Sequence, residues 1–266
     1  MSLLNRNIQM SNEIPIVIYQ MGKVGSQTIW KSLQGMNLHN PIYHIHVLNS
    51  KNIDKSIEIL KSKGSPITLQ LQQAQELIAY LEKCEYPEMK IVTVVREPLA
   101  QLLSSLFQRM KVHTPQLTDS DGSWKVDEIA EHTYNLVRAK KINAFHWFKR
   151  EFKEGLGIDV YEYPFDRLQG YSRISKNGLD ILILRLESSE NWEHYLTEFF
   201  NFPVPFKILN QNRSEEKTYK TAYHQVKSSL KFPHEILEEI YSSPYCQHFY
   251  TEEMNEGFID RWKLAE

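Results

Sequence analysis

Two short apolar runs constrain this chain more than any other feature: Ile14-Pro15-Ile16-Val17-Ile18-Tyr19 and Lys90-Ile91-Val92-Thr93-Val94-Val95. Neither alternates polar with apolar residues, so neither suits a sheet with one face in water. A continuous apolar, largely β-branched run is what a parallel strand shows when helices cover both sheet faces. The first run leads to Gly22, and from Ser26 onward Ile29, Trp30 and Leu33 recur at helical spacing, with Gly35 at the expected stop. The second ends at Arg96-Glu97-Pro98, where Pro98 suits the first turn of a helix with the apolar stripe Leu102, Leu103, Leu106, Phe107 and Met110. Arg109 and Lys111 then follow the dipole preference for cations near a helix C-terminus. Two strand-loop-helix units of this kind predict an α/β fold, with a central, mainly parallel sheet flanked by helices.

Between these units, residues 41–48 alternate and read as a second strand, while 51–63 and 66–84 read as helices separated by Gly64. Ser65 and Pro66 suit an N-cap and a first helical position. Residues 113–125 read as a loop, 126–152 as a long helical stretch and 157–161 as a short strand. Asn177-Gly178, between apolar segments at 171–174 and 179–186, is a hairpin-turn signal. Helices near 189–200, 216–230, 234–241 and 252–264 make the C-terminal part mainly helical. The expectation is one domain over 1–266: a polar leader at 1–13, a core at 14–111, and helical and hairpin additions at 112–266.

A chain of 266 residues with a 41% hydrophobic fraction can bury a full core. Its formal charge of -2 gives no global reason to expect nucleic acid or an anionic membrane as partner. The two cysteines, Cys84 and Cys246, are far apart and lack metal-ligand spacing, so they read as buried thiols, with no disulfide framework and no metal site. No N-terminal charged segment precedes an apolar one, and no stretch approaches the length of a membrane span. The expectation is a soluble, cytoplasmic protein without a transmembrane segment.

The loop Gly22-Lys23-Val24-Gly25-Ser26-Gln27-Thr28 lies between a buried strand and a helix, where unpaired backbone N–H groups and the helix dipole favour an anion. Gly22 and Gly25 permit close backbone approach, Lys23 adds a charge, and Ser26 and Thr28 supply hydroxyls. The loop differs from the nucleotide-triphosphate P-loop, because Val24 stands where that motif has its Mg²⁺-binding hydroxyl and no glycine lies five residues before Gly22. Arg96, directly after the second strand, projects from the carboxyl edge of the sheet, where open α/β folds bind ligands. Ser104, eight residues on, reaches the same edge if strand and helix pack as a unit. A guanidinium with a hydroxyl would hold a compact dianion.

Lys23-x-Gly25-Ser26-x-Thr28 resembles the K-x-G-[ST]-x-[ST] loop of sulfotransferases, which holds the 5′-phosphosulfate of 3′-phosphoadenosine-5′-phosphosulfate (PAPS). Arg96-x-Pro98 with Ser104 resembles the same superfamily's 3′-phosphate motif, in the same order along the chain. A narrower resemblance covers most of the sequence. Val95-Arg96-Glu97-Pro98, His146-Trp147-Phe148, Gly157-Ile158-Asp159-Val160-Tyr161, Pro164-Phe165 and Leu184-Arg185-Leu186-Glu187 are similar to bacterial capsular polysaccharide synthesis proteins, a sulfotransferase-like family. The resemblance implies a P-loop-like three-layer fold whose 14–111 core binds PAPS and releases PAP, transfer to a hydroxyl of a carbohydrate or glycolipid, and no metal requirement.

Sulfuryl transfer needs a base for the acceptor hydroxyl. By period-2 alternation His44 and His46 share a sheet face, with His46 nearer the carboxyl edge. The resemblance makes His46 the base and His44 its orienter; the other reading is a pair of strand-end histidines satisfied by backbone hydrogen bonds. Lys23 would stabilise the transferring group or the leaving phosphate. Arg213 and Ser214, within Asn210-Gln211-Asn212-Arg213-Ser214 and followed by Lys217, resemble late sulfotransferase loops that close over the nucleotide. Arg138, Lys140 and Lys141 form a charged stretch, Trp124 is a candidate for stacking on a sugar, and Trp147 reads as core. Two other classes stay open: a phosphoryl transferase using an unusual P-loop, and a PAP-binding module without turnover.

Overall fold

A computed structural model describes residues 13–83, 88–119, 123–209 and 219–264. The elements run β1 (Ile16–Tyr19), α1 (Gln27–Gln34), β2 (Ile42–Ile45), α2 (Ser50–Ser62), α3 (Leu69–Leu81), β3 (Met89–Val95), α4 (Pro98–His113), α5 (Val126–Arg138), α6 (Ala144–Phe148) and α7 (Glu154–Leu156). They continue with β4 (Tyr171–Lys176), β5 (Leu179–Arg185), α8 (Trp192–Phe200), α9 (Lys220–Ser229), α10 (His234–Tyr241), α11 (Pro244–Phe249) and α12 (Glu252–Trp262). All of β1 is buried, and so is β3 apart from Lys90. Successive strand side chains point to opposite faces, so such burial requires cover on both sides of the sheet.

The sheet order is β2-β1-β3-β5-β4, parallel except for the edge strand β4, which pairs antiparallel with β5. The mainly parallel α/β sheet is the one the apolar runs predict. The β4–β5 hairpin turns at Asn177 (φ 52°) and Gly178 (φ 78°), the left-handed pair a two-residue turn of this kind requires. Among the described residues no helix is long and apolar enough to cross a membrane.

Several boundaries differ from the sequence reading, each for a local reason. The helix expected from 66 starts at Leu69, because the Thr68 side chain accepts the Leu71 N–H and sets the cap there. The 126–152 stretch breaks after Arg138. Lys140 turns left-handed (φ 54°) and the Lys141 N–H reaches back to the Leu136 carbonyl at 2.9 Å, a closure that ends a helix. A π-helical turn follows at Lys149–Lys153. Residues 157–161 are not a strand: Gly157 (φ 69°) closes α7, and the Asp159 side chain accepts the Tyr161 N–H to form a 3₁₀ turn at Val160–Glu162. The helix α11, announced by Ser243 and Pro244 at its cap and first position, was not anticipated. Cys246 is fully buried, and burial pushes its thiol up to about 12; Cys84 lies outside the described residues.

Candidate active site at the carboxyl edge of the sheet

The chain leaves β1 toward β2 and leaves β3 toward β5, so the two connections diverge and open a crevice at the carboxyl ends of β1 and β3. The 22–28 loop follows β1 and Arg96 follows β3. They meet: Arg96 Nη1 donates to the Lys23 carbonyl at 2.8 Å, and Gln101 Nε2 of α4 donates to the Gly22 carbonyl at 2.7 Å. Lys23 (φ 72°) and Gly25 (φ 84°) are both left-handed. A Cβ on Gly25 would lie 2.8 Å from Leu186 Cδ1, whereas one on Gly22 would meet nothing within 4 Å. Only Gly25 is sterically required. With the Gly22 and Lys23 carbonyls drawn toward β3, the N–H groups of Val24, Gly25 and Gln27 donate to no carbonyl among the described residues, at the mouth of α1. Val24 is buried, Lys23 and Thr28 are half-buried, and Gln27 is exposed.

The turn after β3 is held from beneath. The buried Glu97 carboxylate caps α4 by accepting the N–H groups of Leu99 (2.9 Å) and Ala100 (2.7 Å), and it also accepts the Tyr241 hydroxyl at 2.6 Å. The Glu97 N–H donates to Glu187 Oε1 at 2.8 Å, beyond the end of β5. The Tyr245 hydroxyl donates to the Arg96 carbonyl at 2.9 Å and accepts the Arg96 N–H at 3.2 Å. Desolvation raises the Glu187 carboxyl above the usual range, and the neighbouring Glu97 charge adds to this. On α9, burial and then the charges of Arg261 and Arg96 hold Lys227 below the usual lysine range.

The histidines occupy the carboxyl end of β2, on the far side of β1. His44 is 3% exposed, and burial, followed by the proximity of His46, lowers its pKa to about 3, so the ring is neutral. Its Nε2 lies 2.8 Å from Gln20 Nε2 and 3.2 Å from Ser26 Oγ, and Trp30 stacks on the ring. Gln20 Nε2 also donates to Ser26 Oγ. The Ser26 hydroxyl therefore faces a buried polar cluster instead of the mouth of the loop. His46 is half-buried, with Nδ1 3.0 Å from the Gln20 carbonyl and 3.2 Å from Gln20 Oε1. The two rings touch edge to face at 5.4 Å, and Gln20 bridges them by hydrogen bonds. The chain around His46 is pinned from the C-terminal half. Trp147 Nε1 donates to the His46 carbonyl at 3.1 Å. The buried Glu151, in the π-helical turn, accepts the Tyr19 hydroxyl (2.7 Å), the Leu48 N–H (3.0 Å) and Asn52 Nδ2 (2.7 Å).

Ser104 is half-buried on α4, one turn beyond Gln101 and on the same helical side. Arg213 and Ser214, with Asn210 and Lys217, lie outside the described residues. Arg138, Lys140 and Lys141 are exposed, and Lys140 pairs with Glu239. Trp147 is core, as read from the sequence, and half-buried Trp124 packs on Phe107 and Tyr219. Among the described residues, no group of three or more His, Cys, Asp or Glu side chains is placed to hold a metal ion. Sequence reading missed Gln20, Gln101, Glu187 and Tyr245. Helical spacing from Ser104 could have found Gln101; nothing local distinguishes the other three.

Residues 127–251 match the model of a family described as "Putative capsular polysaccharide synthesis protein". No curated protein matches the chain, and no solved structure does. The matched segment contains Trp147, Glu151, Glu187, Tyr241, Tyr245 and Tyr250, whereas the 22–28 loop, the two histidines and Arg96 precede it. Through the half that supports the crevice, the chain is thus similar to a family whose description names capsular polysaccharide synthesis.

Proposed function

We propose that this chain is a sulfotransferase, with a P-loop-like fold, that moves the sulfuryl group of PAPS to a hydroxyl of a carbohydrate or glycolipid acceptor in polysaccharide synthesis. The observation that carries the reading is the hydrogen bond from Arg96 to the Lys23 carbonyl, which brings together two segments distant in sequence whose residues resemble the sulfotransferase anion motifs. A donor that carries more than one anionic group needs more than one such site facing the same ligand. The loop N–H groups with Lys23 suit the phosphosulfate, and the remaining donors of Arg96, with Ser104, suit the 3′-phosphate. Arg213 and Ser214 would close over the nucleotide.

In the transfer, the acceptor oxygen forms a bond to sulfur while the bond from sulfur to the bridging phosphate oxygen breaks. The hydroxyl proton passes to His46, and PAP leaves with the electron pair of the broken bond, its new negative charge facing Lys23 and the loop N–H groups. The family description supports a polysaccharide setting for the acceptor.

A thermal-shift comparison of PAP against ATP with Mg²⁺ tests the donor. PAP at a hundred times its Kd should stabilise the protein by about 2.7 kcal/mol, and Arg96→Ala should remove the effect. Stabilisation by ATP with Mg²⁺ and none by PAP would favour phosphoryl chemistry. Radiolabelled PAPS with a panel of capsular and lipid-linked glycans tests transfer; binding of PAP with no labelled product from any acceptor would leave a nucleotide-binding module.

A further inference from the structure

Gln20 lies between β1 and the 22–28 loop, fully buried, and touches every polar member of the histidine cluster. The chemistry of its partners fixes the protons. A backbone carbonyl can only accept, so the 3.0 Å contact between the Gln20 carbonyl and His46 Nδ1 requires a proton on Nδ1. The side-chain contact repeats the requirement at 3.2 Å, with Oε1 facing the same nitrogen. The amide Nε2 faces Ser26 Oγ and lies 2.8 Å from His44 Nε2, a contact that the Nδ1–H tautomer of neutral His44 would accept. Ser26 and His44 thereby clamp the amide, and the amide and its own backbone carbonyl together hold the His46 ring.

We propose that Gln20 is the positioning residue of this site: its two oxygens hold neutral His46 as the Nδ1–H tautomer, so that Nε2 carries the lone pair that takes the acceptor's proton. The role in proton transfer rests on the sulfotransferase reading; the tautomer does not. Gln20 does for His46 what a carboxylate or amide does for the base of a nucleophile-histidine couple, fixing ring orientation and tautomer from the side away from the substrate. It also links the donor loop to the base, since Ser26 in the loop and His46 on β2 are joined through one amide.

Long-range ¹⁵N–¹H correlation spectra of the ligand-free protein, with His46 assigned by comparison with His46→Asn, read the tautomer directly at a pH where the ring is neutral. The expected result is a protonated Nδ1 and an unprotonated Nε2; the opposite tautomer would overturn the proposal. In Gln20→Met, which keeps the side-chain volume and the backbone carbonyl but loses the amide contacts, the Nδ1–H form should stay the major tautomer of His46 while an Nε2–H fraction appears. Turnover should fall about 10-fold, with KM for PAPS changed less than about twofold. Gln20→Glu keeps an oxygen facing Nδ1 and should keep Nδ1 protonated, its second oxygen accepting a hydrogen bond from Ser26 Oγ or His44 Nε2. A Met variant with wild-type tautomer and turnover would reduce Gln20 to packing and refute the assignment. If Gln20→Met does not fold, the wild-type and Gln20→Glu spectra decide. Absence of sulfuryl transfer by the wild type would refute the sulfotransferase reading and leave the spectra to judge the tautomer alone.

Discussion

The turn after β1 and the turn after β3 form opposite walls of one crevice, yet they are held by different means. The β3 turn is supported by its own buried groups: three donors converge on the Glu97 carboxylate, and Tyr245 satisfies both backbone polar groups of Arg96. The β1 turn has two left-handed residues, and its Gly22 and Lys23 carbonyls are held by side chains from the opposite wall. A further anchor is the cluster of Gln20, Ser26 and His44. Much of the rigidity of the β1 turn is thus borrowed from the β3 turn. The N–H groups of Val24, Gly25 and Gln27 have no carbonyl partner among the described residues while side chains hold the loop, which is what an anion site needs.

The comparison breaks most decisively at Glu97. Glu97→Ala strands two backbone N–H groups and the Tyr241 hydroxyl in a buried setting and should cost about 4 kcal/mol in urea unfolding. A loss below about 1 kcal/mol would show that the β3 turn does not depend on its carboxylate. On the opposite wall, Gly25→Ala combines a left-handed backbone with a clash against Leu186 and should cost about 3 kcal/mol, whereas Gly22→Ala should change stability by less than about 0.5 kcal/mol. Equal effects at the two glycines would contradict the loop geometry.

His44 sharpens the contrast through pH. Its pKa is about 3 in the folded chain against 6.5 for the free side chain. Between those values the unfolded chain binds the extra proton, so this contribution to stability is complete above pH about 6.5 and declines as pH falls toward about 3. From pH 7 to pH 5 the wild type should lose about 2 kcal/mol more than His44→Gln in matched urea titrations. Parallel pH slopes for the two proteins would rule out a buried neutral His44. Tyr245→Phe, which removes one hydroxyl shared by the Arg96 N–H and carbonyl, should cost about 1.5 kcal/mol and give the smallest loss among the buried contacts.

The candidate site was legible in the sequence where a residue's role follows from its place next to a strand. Arg96 ends an unmistakable buried strand, the 22–28 loop ends another, and period 2 puts His44 and His46 on one face. The same rules gave the wrong structure at 157–161, where a local Asp159 bond outweighs apolar composition, and within 126–152, where Lys140 turns left-handed without a glycine to announce it. Arg213 and Ser214 lie outside the described residues, so the expectation for that loop stands where the sequence left it.

The sequence by itself determined the fold class, because continuous apolar strands admit few arrangements other than a covered parallel sheet. It also determined which residues reach the sheet edge. Only the tertiary structure decided how those residues are held. Glu187, Tyr241, Tyr245 and Glu151 are far along the chain from Arg96, Glu97 and Tyr19, and no periodicity links a buried hydroxyl or carboxylate to its partner a hundred residues away. It likewise decided that Gln20, at the end of β1, reaches the His46 ring through both its backbone and its side-chain oxygen, because that contact depends on how two adjacent strands are paired in register.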